Sequence, residues 1–142
     1  MRIFRRPLDR DVRRLLAAAA LPVDDLTPKH LEHFFGCGDE TSTLGVGGLE
    51  LFGGDALLRS LAVDETARGR GCGTALVEAL EAHARDNGVR RIYLLTTTAA
   101  RFFEGLGYRA VARDAAPAPV RAAPEFATLC PASAACMVKD LA

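Results

Sequence analysis

Val63-Asp64-Glu65-Thr66-Ala67-Arg68-Gly69-Arg70-Gly71-Cys72-Gly73-Thr74 is the stretch on which the reading of this chain turns. Before it, Asp55 to Val63 is strand-like. After it, Thr74 to Asn87 is amphipathic at helical spacing, with Leu76, Val77, Leu80 and Ala84 as its apolar stripe and Gly88 as a C′ residue. Glycines at such a strand-to-helix junction let successive N–H groups point the same way and keep side chains out of their path. The helix start adds unsatisfied donors and a positive dipole end. Arg68 and Arg70 add charge, and the sum is a cradle for a pyrophosphate-like anion. No Lys-Ser or Lys-Thr follows the glycines, which excludes a P-loop. Gly69, Gly71 and Gly73 also have the wrong spacing for a G-x-G-x-x-G dinucleotide turn. What fits is R-x-x-G-x-G, carried by Arg68, Gly71 and Gly73.

Working outward, Thr43 to Phe52 and Asp55 to Val63 flank Gly53-Gly54 and predict a tight hairpin. Its register sets Phe52 against Asp55, Leu51 against Ala56 and Glu50 against Leu57, with Leu44, Val46, Gly48, Glu50 and Phe52 on one face. Upstream, residues 2–4 suit a first strand, and Asp9 or Asp11 can cap a helix that Pro22 ends. Thr27-Pro28 opens a second helix, 34–37 is a weak strand, and 36–42 is turn-like. Downstream, 91–96 reads as strand, 99–106 as helix, 108–112 as strand, 115–124 with its three prolines as loop, and 134–138 as a last strand. This order predicts one α/β (α+β) domain over residues 1–142.

The chain's 142 residues suffice for a real core, and its formal net charge is zero. That balance argues against a nucleic-acid binder and a polybasic membrane anchor. The longest apolar run, Leu15 to Val23, falls short of the roughly 20 residues a span requires. With no signal-peptide pattern at Met1 to Pro7, the expected location is cytoplasmic. Cys37, Cys72, Cys130 and Cys136 show no zinc-like spacing, so no metal is expected and the thiols are read as free.

The Arg68, Gly71, Gly73 signature resembles that of the GNAT superfamily of acetyl-CoA-dependent N-acetyltransferases. Thr96, Ala99, Phe103, Gly107 and Tyr108 occupy that family's N-x-x-A-x-x-x-Y-x-x-x-G-F frame. Thr96 replaces the usual Asn, and Phe103 replaces the Tyr that serves many relatives as general acid. Within the family, segments 57–63, 93–98 and 125–133 are similar to the bacterial arsenic-resistance-associated N-acetyltransferases. The resemblance implies a mostly antiparallel mixed sheet, flanked by helices and splayed into a V between strands near 57–63 and 91–96. It implies acetyl-CoA as co-substrate, held by Leu61, Ala62, Val63, Arg68, Gly69, Arg70, Gly71, Cys72, Gly73 and Thr74 and flanked by Thr96, Ala99, Phe102 and Phe103. A backbone N–H near Leu61 takes the oxyanion role, and an amine attacks the thioester directly. Small-molecule amines are the implied acceptors, among them glutamate-like arsenic or phosphorus amino acids such as arsinothricin and phosphinothricin. A homodimer is the expected assembly.

The position of the usual carboxylate base carries Leu57. Glu50, opposite it across the hairpin, is then the candidate base, or else an exposed edge glutamate. Arg59 is expected on one face with Leu57, Leu61 and Val63, either holding a substrate carboxylate or paired with Glu50. Arg121 and Thr97 are further substrate candidates, though threonines at a strand end also cap helices. His30 and His33 read as solvated, His83 as structural, and Cys130 and Cys136 as buried small residues. Two other readings stay open: a protein or peptide acceptor, and a non-catalytic CoA sensor.

Overall fold

The computed structural model describes residues 1–39 and 41–141, so residue 40 of the expected 36–42 turn lies outside the described residues. A seven-stranded sheet has the order β1-β2-β3-β4-β5-β7-β6. Its strands are β1 (Arg2–Arg5), β2 (Phe34–Gly38), β3 (Thr43–Phe52), β4 (Asp55–Val63), β5 (Arg91–Thr96), β6 (Arg109–Val111) and β7 (Ala135–Asp140). Every pairing is antiparallel except β4 with β5. The helices are α1 (Asp9–Ala18), α2 (Pro28–Leu31), α3 (Cys72–Asp86), α4 (Ala100–Gly105) and α5 (Ala118–Ala122). The sheet is open, mostly antiparallel and covered on both faces.

Each face is filled by what its strands point toward. The stripe of α3, Leu76, Val77, Leu80 and Ala84, packs with Leu49, Ala56, Leu58, Ile92 and Leu94, and Phe103 and Tyr108 join from the α4 side. Each Val, Leu, Ile or Phe among them contributes about 1.5–3 kcal/mol. On the opposite face α1 brings Val12, Leu15 and Leu16 onto Phe34, Val46 and Ala62. Farther along that face Val120 of α5 and Phe126 cover Leu57, Tyr93 and Val138. The last two clusters leave β4's middle, Arg59, between them.

The hairpin register is the expected one: Glu50 opposes Leu57, Leu51 opposes Ala56 and Phe52 opposes Asp55. Only Gly53 takes positive φ (69°) at the turn, the pattern of a type II′ hairpin. Several boundaries move. Leu8, not an aspartate, occupies the N-cap of α1, while Asp9 sits one turn from Arg13 and pairs with it. That helix ends before Pro22, where Ala20 turns left-handed at φ 56°. Thr27 caps α2 as expected. The proline-bearing 115–124 segment is not simply loop: it winds into α5, with Pro119 inside the first turn where its missing N–H costs nothing. A π-helical turn, Glu125–Leu129, follows it.

Two irregularities in β4 shape what comes next. Its ladder to β5 stops at Leu57–Tyr93, beyond which the strands diverge. Its ladder to β3 shifts by one residue between Gly48–Arg59 and Val46–Ala62. The extra residue lies at Ser60–Leu61, and Ser60 has φ 59°, the mark of a bulge. The bulge corrects one sequence expectation. Arg59 shares a face with Leu57, but Leu61 and Val63 lie on the opposite, α3-facing side. A strict period of two fails across an inserted residue.

Candidate active site

Where β4 and β5 part, a cleft of about 430 Å³ opens. Its walls include Arg59 to Val63 on one side and Leu94 to Ala99 on the other, with Phe103, Glu125 and Cys130 closing it. A second hollow of about 490 Å³ adjoins it through Leu61, Val63, Arg68 and Ala99, and runs over Gly69, Gly71, Cys72, Gly73, Thr74 and Phe102. One continuous groove thus leads from the α3 N-terminus into the V.

The outer half is made by main chain. Gly69 and Gly71 have φ of 78° and 84°, and a Cβ built on either would meet nothing within 4 Å. The space above them is open, and their left-handed backbone is one that residues with a Cβ avoid. Gly71 is the N-cap of α3 and no side chain caps that end. The amides of Cys72, Gly73 and Thr74 therefore lack intrahelical partners and sit at the positive end of a four-turn dipole. Arg68 is exposed and lines both hollows, whereas Arg70 is exposed and lines neither. These residues fit a diphosphate: donors, positive field and room coincide.

The inner half begins with the bulge. At Ser60–Leu61 the β3 ladder shifts register, and on the other side β4 has lost β5, so this stretch of β4 borders the cleft with no β5 ladder to claim its backbone. Opposite, Thr96 Oγ1 accepts a hydrogen bond from Ala99 N at 3.0 Å, capping the entry to α4. Thr97 is exposed on the cleft wall. Phe103 is buried, packed edge-on against Phe102 and Tyr108. Tyr108 does not reach the cleft; its hydroxyl donates to Glu81 at 3.0 Å, and Lys139 Nζ donates to the same carboxylate.

The side-chain half of the site centres on Arg59, whose side chain has no exposed surface. Its Nη2 donates to Asp25 Oδ1 at 2.8 Å and its Nη1 to the other Asp25 oxygen. Nη1 also donates to Glu50 Oε2 at 3.1 Å, and Nε donates to Ser60 Oγ at 2.9 Å. Glu125 Oε2 lies 3.1 Å from Nη2. Burial works against the Asp25 carboxylate, yet the Arg59 guanidinium holds its carboxyl below the usual range. Burial pushes Glu125 up; Arg59 opposes that, while Asp25 and Glu50 reinforce it. Glu50 turns its other oxygen to His30 Nε2 at 3.3 Å, and His30 Nδ1 is 2.8 Å from Thr27 Oγ1.

Several sequence-based expectations change here. Glu50 is neither at an exposed edge nor on the cleft wall: it lies behind Arg59, as the salt-bridge alternative held. Arg59 has three carboxylates for partners and no exposed donor for a substrate carboxylate. Arg121 is exposed and lines neither hollow. His30 is half-buried and bonded, not solvated, and His33 Nδ1 lies 3.0 Å from His83 Nε2. Cys136 is buried, but Cys130 is half-buried on the cleft wall, with Sγ 3.6 Å from Glu125 Oε1. Asp25 and Glu125 went unrecognised. For Glu125 a signal existed, an acid amid Ala122-Ala123-Pro124 and Phe126-Ala127; Asp25, beside Asp24 in a polar connection, offered none.

The model of the acetyltransferase (GNAT) domain matches residues 30–110, more than half of the chain and the whole stretch from β2 to the start of β6. The chain belongs to the GNAT acetyltransferase family. An uncharacterised N-acetyltransferase of Chlorobaculum tepidum is 37% identical over 90 residues, which are 61% of this chain and 56% of that relative. The match thus spans little more than half of the relative's length. A Mycobacterium tuberculosis protein solved with CoA and NLQ superposes with a TM-score of 0.81 at 22% identity, covering 100% of both chains. N-acetylglutamate synthase of Neisseria gonorrhoeae, solved with coenzyme A and N-acetyl-glutamate, gives 0.82 at 18% identity over 99% of this chain and 35% of that one. At those identities the two structures establish the GNAT fold. Among the described residues no helix is long and apolar enough to cross a membrane.

Proposed function

We propose that this GNAT domain transfers an acetyl group from acetyl-CoA to the amine of a small molecule by direct attack. The observation that carries the reading is the continuous groove, in which unclaimed amides at the α3 N-terminus lead to a bulged segment of β4 that β5 has left. In this reading Gly69, Gly71, Cys72, Gly73 and Thr74 hold the diphosphate through main-chain N–H groups, with Arg68 adding charge. The pantetheine arm lies along Leu61 to Val63 as an added strand, taking the place β5 vacates. The Leu61 amide, in the stretch beyond the end of the β5 ladder, polarises the thioester carbonyl. Phe102 and Phe103 give the thioester an apolar wall. Phe103 supplies no proton, so the leaving sulfur takes one from the acceptor or from water.

Bound in this way, acetyl-CoA supplies the electrophile; the chain supplies alignment, and positioning accounts for most of the rate. Glutamate-like arsenic and phosphorus amino acids are the first acceptors to try, on the sequence resemblance in segments 57–63, 93–98 and 125–133. Arg59 adds nothing to that choice, because its donors are already engaged. The test is thiol release from acetyl-CoA, with amino acids, their phosphinic and arsonous analogues, polyamines and peptides as acceptors. Turnover on a small amine supports the reading. Tight acetyl-CoA binding with turnover on none of them contradicts it and favours a sensor.

A further inference from the structure

Arg59, Asp25, Glu50 and Glu125 come from four separate segments and meet on one face of β4. Three of them have ordinary accounts. Asp25 binds Arg59 through both oxygens, and Glu50 is bonded at both of its own. Glu125 is different. It is 6% exposed, it lines the cleft between the diverging strands, and its buried Oε2, although 3.1 Å from Arg59 Nη2, makes no hydrogen bond. Among the described residues no other buried side-chain oxygen or nitrogen is left so. Its Oε1 has only the Cys130 thiol, at 3.6 Å, a weak donor that an amine N–H would replace. A buried carboxylate is costly unless it is fully paired or serves a purpose.

We infer that Glu125 is the catalytic residue that takes the acceptor's proton, and that Arg59, Asp25 and Glu50 are positioning residues which fix its charge and place. This rests on the acetyl-transfer reading above. The nitrogen lone pair forms the C–N bond, and the C–S bond breaks with its electron pair passing to the coenzyme A sulfur. The proton that nitrogen sheds goes to Glu125 and from there to the sulfur, leaving the amide, the free thiol and the original carboxylate. Glu125 lines the same cleft as Leu61, so base and oxyanion donor face one space. The carboxylate is raised by burial, lowered by Arg59, and raised again by Asp25 and Glu50. That is the direction a general base working near neutral pH requires. The Cys130 thiol beside it is itself pushed up to about 11, first by burial and then by Glu125, so it stays protonated and remains a donor. Arg113 and Arg59 pull that thiol the other way.

The same balance separates a catalytic from a structural role. With its folded pKa raised, Glu125 favours the folded state below the ordinary carboxylate range and loses that advantage as pH rises through its folded value. At neutral pH the ionised form is therefore a burden on stability. Glu125→Gln is expected to fold with an equal or higher Tm at pH 7.5, the gain shrinking toward pH 4.5. Acetyl-CoA binding, measured by calorimetry on the full chain, is expected to be unchanged. kcat/KM is expected to fall about 100- to 10,000-fold and to lose its alkaline rise. Glu125→Asp, which keeps a shorter base, should retain part of the rate and a displaced pH profile. Glu50→Gln should shift the profile with a smaller loss of kcat. If Glu125→Gln keeps the wild-type pH profile, or lowers Tm while KM alone rises, the inference is overturned and acetyl transfer stands. If the wild type binds acetyl-CoA and acetylates nothing, the transfer reading falls, and this inference with it.

Discussion

The two halves of the groove are built on opposite principles. The outer half is main chain from one contiguous stretch, 63–74, where positive φ at Gly69 and Gly71 and an uncapped helix start leave amides exposed. The inner half rests on side chains, Arg59 and Glu125 on its wall and Asp25 and Glu50 behind them, gathered around one guanidinium with no exposed surface. A main-chain site tolerates many side chains but few backbones; a side-chain site is the reverse. The outer half suits a part of the ligand that never changes. The inner half suits proton transfer, where a single atom decides the outcome.

The contrast can be broken most severely at Arg59. Arg59→Met leaves one buried and two half-buried carboxylates facing one another, at a cost of about 3–5 kcal/mol. Urea denaturation at pH 7.5 and pH 5 should show the loss and its partial recovery in acid, since protonating the carboxylates removes the repulsion. An equally stable protein at both pH values would mean the cluster is relaxed in solution. Gly71→Ala comes next and acts on the other half. Its left-handed backbone costs a residue with a Cβ roughly 1–2 kcal/mol, so the Kd for acetyl-CoA should rise about tenfold. kcat at saturation should hold, which steady-state kinetics checks. Smallest is Thr96→Val, which removes the 3.0 Å cap on Ala99 N. It should lower stability by about 1 kcal/mol and raise the KM for acetyl-CoA slightly, as seen by thermal melts and initial rates.

The same contrast explains what could be read in advance. Strands β3 and β4 and their hairpin register followed from Gly53-Gly54 between two alternating runs. The cradle followed from glycines at a strand-to-helix junction, because local sequence dictates local backbone. The Ser60–Leu61 bulge was not legible: the run Leu57 to Val63 keeps its alternation on paper, and only the step from Gly48–Arg59 to Val46–Ala62 reveals the extra residue. Glu50 was singled out as an acid on an apolar face; the structure instead sets it between Arg59 and His30, neighbours not knowable from the hairpin alone. Asp25 and Glu125 lie 34 and 66 positions from Arg59 (59 − 25 and 125 − 59), and only the packing of α1–α2 and α5 onto one sheet face brings them there. Convergence of that kind leaves no periodic trace.

The central claim is that main-chain amides between Gly69 and Thr74 grip the diphosphate of coenzyme A. Titrating CoA, and separately pantetheine, into isotopically labelled protein while following amide resonances tests it directly. The account predicts that CoA moves the amides of Gly71, Cys72, Gly73 and Thr74 strongly, whereas pantetheine moves Leu61 to Val63 and leaves the glycines still. Saturation by CoA with those glycine amides unmoved would contradict it.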